Sequence, residues 1–429
     1  MPTSDRTGVM TPRKEDTMQI GRTRISLAAG AIVACATVVA FATGGTVMPA
    51  RAAGTGGAPM TPKPPATILQ PACGVNGYAQ AAAAQGAAPG TQMTEQAFKN
   101  IQQMKGIPVD EFMGTMGLFS AALGMCCLEC HNEKWDFDTP RKKTARRMIE
   151  MTNAINQANF SGRKVVTCWT CHRQNDRPNT TPPLDVIYGE PIFWQPDDLF
   201  QQTQGAPKAD EVLDKYLQAL GGAERVAAIT SVTGKGTGSG YAGALRSPAE
   251  FFAKAPNQRT TIIHTEDGDK TTTYDGKSGW LASNVTPVPV MSLTGGELDG
   301  ARLDAELTFP GRIKQVLTQW RATLPRTLNG RLVNVVQGSG KDLSATLFFD
   351  AQTGLLTRVI RYANSAMGRV PTQIDFDDYR DVSGVKMPFK MSFAWTSGRD
   401  VYELSELRTN VPVDAAKFEK PQPAKSKIR

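Results

Sequence analysis

Two pentads of one pattern, Cys127-Leu128-Glu129-Cys130-His131 and Cys168-Trp169-Thr170-Cys171-His172, hold the chemistry most open to reading in this 429-residue chain. Two thiols separated by two residues, with an imidazole directly after the second, form the attachment signature of c-type haem. The sulfurs make thioethers with the porphyrin vinyl groups and the imidazole ligates the iron. The chain has three histidines, and two of them complete these motifs. Two Cys-x-x-Cys pairs can also build a four-sulfur zinc site, and a single pair can be a redox disulfide. Neither use needs a histidine behind each pair, and a thiol oxidoreductase would carry one pair near a βαβ pattern. The pentads therefore imply two covalent haem c groups, anchored at Cys127, Cys130, Cys168 and Cys171, with His131 and His172 as axial iron ligands.

The second axial positions follow by subtraction. Two bis-histidine irons would need two further histidines, and only His264 remains, in a stretch that reads as a different domain. Thioether sulfur is the alternative, and the surrounding segment holds Met93, Met104, Met113, Met116, Met125, Met148 and Met151. Met125 stands too close before Cys127 to pass easily to the other porphyrin face. The useful candidates are pairs one helical turn apart. Met113 and Met116 lie in the run from Val109 to Phe119, which reads as a helix with an acidic first turn. Met148 and Met151 lie in the run from Thr139, where Thr139 suits an N-cap and Pro140 the first helical position. Each helix ends ahead of a pentad, so one side chain from it can reach back over the haem. One methionine per pair is needed as ligand, and the other serves packing.

The runs Phe98 to Ile101, Lys105 to Met116, Arg146 to Asn156 and Val166 to Arg173 resemble the cytochrome c subunit of photosynthetic reaction centres. The resemblance spans roughly residues 95 to 180. It implies electron transport, redox protein partners such as a membrane-bound reaction centre or a respiratory complex, and axial methionines at Met116 and Met148. The sequence departs from the family at three places. Its best-known members carry four haems, whereas two attachment motifs stand here; the glycine that usually follows Cys-His-Arg is Gln174; and the long C-terminal region lies outside the family pattern.

Taken in order, residues 1–52 read as a signal peptide or membrane anchor. Arg22 and Arg24 precede the apolar run Ile25 to Val47, and Ala50-Arg51-Ala52 offers a cleavage site. Cleavage is the favoured reading, with lipidation at Cys35 and an uncleaved leader crossing a bilayer core of about 30 Å as the open alternatives. Export follows in each case, to a periplasmic location, soluble or membrane-tethered. Residues 53–92, rich in Ala, Gly, Pro and Gln, read as a flexible linker. Residues 93–194 form the haem domain, beginning with a helix from Thr94 to Met104; residues 195–207 are a linker; residues 208–429 form a β-rich domain. Cys73 and Cys126 are left over outside the leader and the pentads, and a disulfide between them is one option.

The β-rich domain opens on a helix, Asp210 to Leu220, with Val212, Leu213, Tyr216, Leu217 and Leu220 on one face and Gly221-Gly222 as its stop. Period-two strands follow at Ser344–Phe349, Leu355–Tyr362, Thr372–Tyr379, Lys390–Thr396 and Val401–Arg408, with earlier candidates flanking Asp267-Gly268 and Asp275-Gly276. The expected fold is multidomain: a small, mainly α dihaem cytochrome c domain, then an α+β domain dominated by an antiparallel β-meander. One helix followed by a meander resembles the half-barrel of periplasmic lipoprotein carriers. No catalytic constellation marks this domain, and His264 reads as an ordinary residue. A hydrophobic ligand in the half-barrel, with the cytochrome as redox accessory, is one alternative; a haem peroxidase or reductase with one open iron is another. The basic group Arg141, Lys142, Lys143, Arg146, Arg147, Arg163 and Lys164 serves either as a solvated helix face beside haem propionates or as a docking patch for an acidic partner. The net charge of +8 suits an acidic partner or a membrane surface, and no nucleic-acid motif is present.

Overall fold

The computed structural model describes residues 91–132, 134–188, 202–240, 246–284, 286–317, 319–340 and 343–423. The leader, with Cys35, and nearly all of the linker, with Cys73, lie outside the described residues. Among the described residues no helix is long and apolar enough to cross a membrane.

The first part is helical: α1 Thr94–Ala97, α2 Val109–Leu123, α3 Cys127–Cys130, α4 Pro140–Phe160, α5 Cys168–His172 and α6 Leu184–Tyr188. In α2, Asp110 and Glu111 face the positive end of the helix dipole, and Gly124 (φ 63°) ends it in the left-handed conformation. In α4, Thr139 Oγ1 accepts from Lys142 N at 3.2 Å, and Pro140 fills the first position, as its sequence requires. The expected helix from Thr94 to Met104 is corrected to the single turn of α1. Phe98 is extended, and Asn100 (φ 58°) and Met104 (φ 60°) are left-handed. The segment folds back so that Thr94 N donates to Ile107 O at 3.0 Å and Thr94 Oγ1 to Met104 O at 3.0 Å, tertiary bonds that displace the helical ladder.

The second part opens with α7 Ala209–Leu220 and α8 Ala223–Ala227, then β1 Ser231–Ser239, β2 Arg246–Lys254, β3 Gln258–Thr265, β4 Gly268–Tyr274, β5 Gly279–Ala282 and β6 Val290–Ser292. Helices α9 Gly295–Glu306 and α10 Ile313–Val316 intervene. There follow β7 Gln319–Leu328, β8 Arg331–Ser339, β9 Ser344–Asp350, β10 Leu356–Ser365, β11 Gly368–Val382, β12 Val385–Trp395 and β13 Gly398–Thr409. Among the described residues these strands form one antiparallel sheet in the order 6-5-4-3-2-1-13-12-11-10-9-8-7. Two meanders are therefore joined along a single seam, where β1 pairs with β13 from Val232 opposite Thr409. The sheet is an open half-barrel: its antiparallel meanders are what the period-two runs imply, and its half-barrel form is what the resemblance to lipoprotein carriers implies.

Its main core packs α7 into the sheet. Val212, Leu213, Tyr216, Leu217 and Leu220 are all buried, as their spacing implies, against Val232, Phe251, Val336, Leu347, Phe349 and Val385. The helical part and the sheet belong to one compact unit, and specific contacts join them. Asp110, 4% exposed, accepts from Thr294 Oγ1 at 2.8 Å and from Thr294 N at 2.5 Å. Thr115 Oγ1 accepts from Ala366 N at 3.1 Å, and Lys164 Nζ donates to Ser365 O at 2.6 Å. The β10–β11 turn thereby inserts Met367, 2% exposed, among Leu118, Ile149, Ala363 and Val370, with Cys168 packed at the edge of the same cluster.

Candidate haem-attachment sites

The first pentad occupies α3 and the residue after it, held at the C-terminal end of the helix by the start of α4. Thr139 Oγ1 donates to Cys130 O at 2.7 Å, and an Arg141 guanidinium N–H donates to Glu129 O at 2.9 Å. Cys126 N donates to Glu129 Oε2 at 2.7 Å, and Cys126 is disulfide-bonded, whereas Cys127, Cys130, Cys168 and Cys171 are in no disulfide. Cys127, Cys130, His131, Met113, Met116 and Trp135 line one cavity of about 810 Å³. The His131 ring stacks on Trp135 at 4.7 Å, and burial, aided by nearby Lys142, pushes its pKa down to about 4. The imidazole is thus neutral at physiological pH, the form that ligates iron. Its Nδ1 is buried without a hydrogen-bond partner.

The second pentad occupies α5 and lies at the surface. Its lead-in is gripped by α4: Asn156 Nδ2 donates to Val166 O at 2.7 Å, while Asn156 Oδ1 accepts from Val165 N at 3.1 Å and Val166 N at 2.9 Å. Met148, Thr152 and Asn156 are spaced by four and so share a helix face; Thr152 and Asn156 are buried, whereas Met151 is 46% exposed. Met148 is half-buried on that face. His172 Nδ1 lies 2.9 Å from Asn175 O, which fixes the ring and leaves Nε2 for a metal.

One helix couples the two motifs. The last turn of α2, just ahead of the first pentad, accepts a hydrogen bond at Ala122 O from Gln174 N, just behind the second, at 2.9 Å. A Cβ on Gly124 would collide with Gln174 O. Gln174 itself has φ 70° and Arg173 φ 48°, which explains why a glycine suits this position and what its replacement strains.

The donor set fits haem c. Burial raises the pKa of Cys130, and raises that of Cys168 to about 11, so neither is an activated thiolate of the redox-disulfide type. Among the described residues no group of three or more His, Cys, Asp or Glu side chains is gathered to hold a metal ion, so the two pairs do not form a four-sulfur zinc cluster. Within the basic group, Arg146 pairs with Asp138 at 2.8 Å, Lys142 Nζ donates to Trp135 O and Phe137 O, and Lys164 reaches Ser365. Lys143, Arg147 and Arg163 stay exposed. His264 sits in β3 with Asp269 Oδ1 at 2.9 Å and Glu250 Oε2 at 3.5 Å, a partnered strand residue far from either pentad in sequence. Sequence reasoning missed Trp135 and Asn156 as site residues; the signals for them are their places four residues after His131 and twelve before Cys168 and, for Asn156, its position in the run that carries the family resemblance.

Residues 50–184 match the family described as photosynthetic reaction centre cytochrome C subunit. No curated protein matches the chain. Among solved structures, a DUF1329 family protein from Desulfovibrio piger is similar at 12% identity and TM-score 0.35, over 50% of this chain and 98% of that one. A LolA superfamily protein from Nitrosomonas europaea matches at 12% identity and TM-score 0.33, over 50% and 99%. A lipoprotein-sorting protein domain from Vibrio parahaemolyticus matches at 14% identity and TM-score 0.29, over 48% and 97%. The segment bearing both pentads is thus similar to reaction-centre cytochrome c subunits, a family whose haem c is covalently bound, and it is joined in this chain to an open antiparallel sheet.

Proposed function

We propose that the protein is an exported dihaem c-type cytochrome that carries electrons between redox partners. The supporting observation is that both complete pentads are tied to one methionine-bearing helix, α2: the first follows its C-terminus, and the second is bonded to it through Gln174 N and Ala122 O. Met116 and His131 would hold the first iron, and Met148 and His172 the second. Held there, haem supplies reversible one-electron exchange, and a methionine ligand raises its potential relative to a second histidine. The chain's own groups do the rest. Trp135 and Asn175 would orient the imidazoles, the β10–β11 turn packs against the helices of both motifs, and the exposed Lys143, Arg147 and Arg163 on and just after α4 favour an acidic redox partner. Since c-type haem is attached outside the cytoplasm, the periplasm is the compartment that suits the leader, and Cys73 is the partner that suits Cys126.

The test is covalent haem per chain, measured as the pyridine complex after expression with cytochrome c maturation. The expected value is two, and a chain with none would defeat the proposal. Met116→His and Met148→His should each lower the midpoint potential of one haem only. Unchanged potentials would remove the ligand assignment while leaving the attachment sites in place.

A further inference from the structure

The cavity of the first motif runs past the helices onto the concave face of the half-barrel, where Arg259, Lys270, Phe393, Trp395 and Tyr402 line it. Most of the charged groups there are engaged. Arg361 binds Glu297 and Asp304, each at 3.3 Å, and Lys270 pairs with Asp400 while lying over Trp395 at 4.7 Å. Arg259 is different. It is 8% exposed and clamped between the rings of Phe251 and Phe393, each centroid 5.2 Å from its guanidinium carbon. Among the described residues it forms neither an ion pair nor a hydrogen bond with the protein. Asp304, the carboxylate whose field acts on it most, turns Oδ2 to Arg361 and leaves Oδ1 unpartnered. Because Arg361 is shared by two carboxylates, the group as a whole is near neutral. What Arg259 lacks is acceptors for its donors. A desolvated guanidinium without acceptors is costly, and its planar fork matches the two oxygens of a carboxylate.

We propose that Arg259 anchors a carboxylate inside this cavity, with Phe251 and Phe393 holding the guanidinium plane in place for it. Two sources supply that chemistry. One is a propionate of the haem attached at Cys127 and Cys130, whose anchors line the same cavity; this source rests on the function proposed above. The other is a free organic acid lying along Leu281, Met291 and Trp395, and it does not.

The test uses the full, haem-loaded chain with Arg259→Gln and Arg259→Lys, and haem per chain is measured on every sample. Redox titration follows each haem, and calorimetry follows the binding of laurate. If the occupant is the propionate, laurate does not bind and Arg259→Gln lowers one midpoint potential, since removing a nearby positive charge favours ferric iron. The expected change is about tenfold in the reduced-to-oxidised ratio at fixed poise, which is 59 mV for a one-electron couple. If the occupant is a free acid, laurate binds, Arg259→Gln weakens it about tenfold or more, and both potentials stay. Where Arg259→Gln does not accumulate, Arg259→Lys decides. Lacking the fork, it should move the same reading by about threefold, and wild-type values would overturn the proposal. Unchanged potentials together with absent or Arg259-independent laurate binding would overturn it as well. A chain without covalent haem would defeat the haem reading alone, and the laurate arm would still decide the role of Arg259.

Discussion

The two pentads share a sequence pattern and differ in their surroundings. The first faces a cavity bordered by α2, α4 and the half-barrel, with His131 half-buried and its ring tilted against Trp135. The second lies at the rim, where Cys171 is exposed and Trp169, Met151 and Val165 are 36%, 46% and 50% exposed. The difference teaches that identical attachment chemistry can serve two electrostatic settings. An enclosed site sees few water dipoles and is tuned by fixed charges such as those on the sheet. An open site is tuned by solvent and is the one a partner can approach.

Several measurements would sharpen or break that contrast. Replacing Cys127 and Cys130 with serine should halve the haem per chain and lower the thermal midpoint more than the same change at Cys168 and Cys171, because the enclosed site loses its filling. Equal losses in the two variants would show that enclosure carries no energetic weight. Met367→Ala should cost about 2–5 kcal/mol in urea unfolding, as expected for a buried methionine. It should also perturb both haem spectra, since Met367 packs beside the helices of both motifs; a change confined to the sheet would separate the two regions. Lys143→Glu with Arg147→Glu should slow association with an acidic partner by about tenfold at low salt, an effect that fades toward 1 M salt, without altering stability. Association that is insensitive to these charges would place docking elsewhere. Gln174→Gly should be the mildest, adding up to about 1 kcal/mol by relieving the left-handed backbone; a loss of stability would show that the Gln174 side chain contributes more than its backbone strain costs.

Much of the helical part was legible because its signals are local. The pentads are contiguous, Thr139 and Pro140 announce α4, and the α7 stripe from Val212 to Leu220 needs only a 3.6-residue period. The five late strands were legible from alternation, and each falls on one of β9 to β13, with only Leu355 and Thr396 one residue outside β10 and β12. The first helix was overread because nothing local in Thr94 to Met104 reveals that Ile107 O and Met104 O will claim Thr94. The unity of the sheet was hidden for the same reason, since its seam joins distant residues. Arg259 could not be singled out either: a single arginine in an alternating strand reads as surface, and only the sheet's curvature buries it between two phenyl rings.

The seam between β1 and β13 also sets an order of assembly. Thr230 and Asn410, which bond beside it, stand 180 residues apart, and chains are made from the N-terminus onward. Both pentads are therefore complete long before the sheet segments bearing Arg259, Met367 and Trp395 can close against them, and pairing of such high contact order is slow. In the proposed dihaem protein, attachment would have a window in which Cys127 and Cys130 are reachable from the side that the half-barrel later covers. The late sheet would then act as a door that shuts on a loaded site.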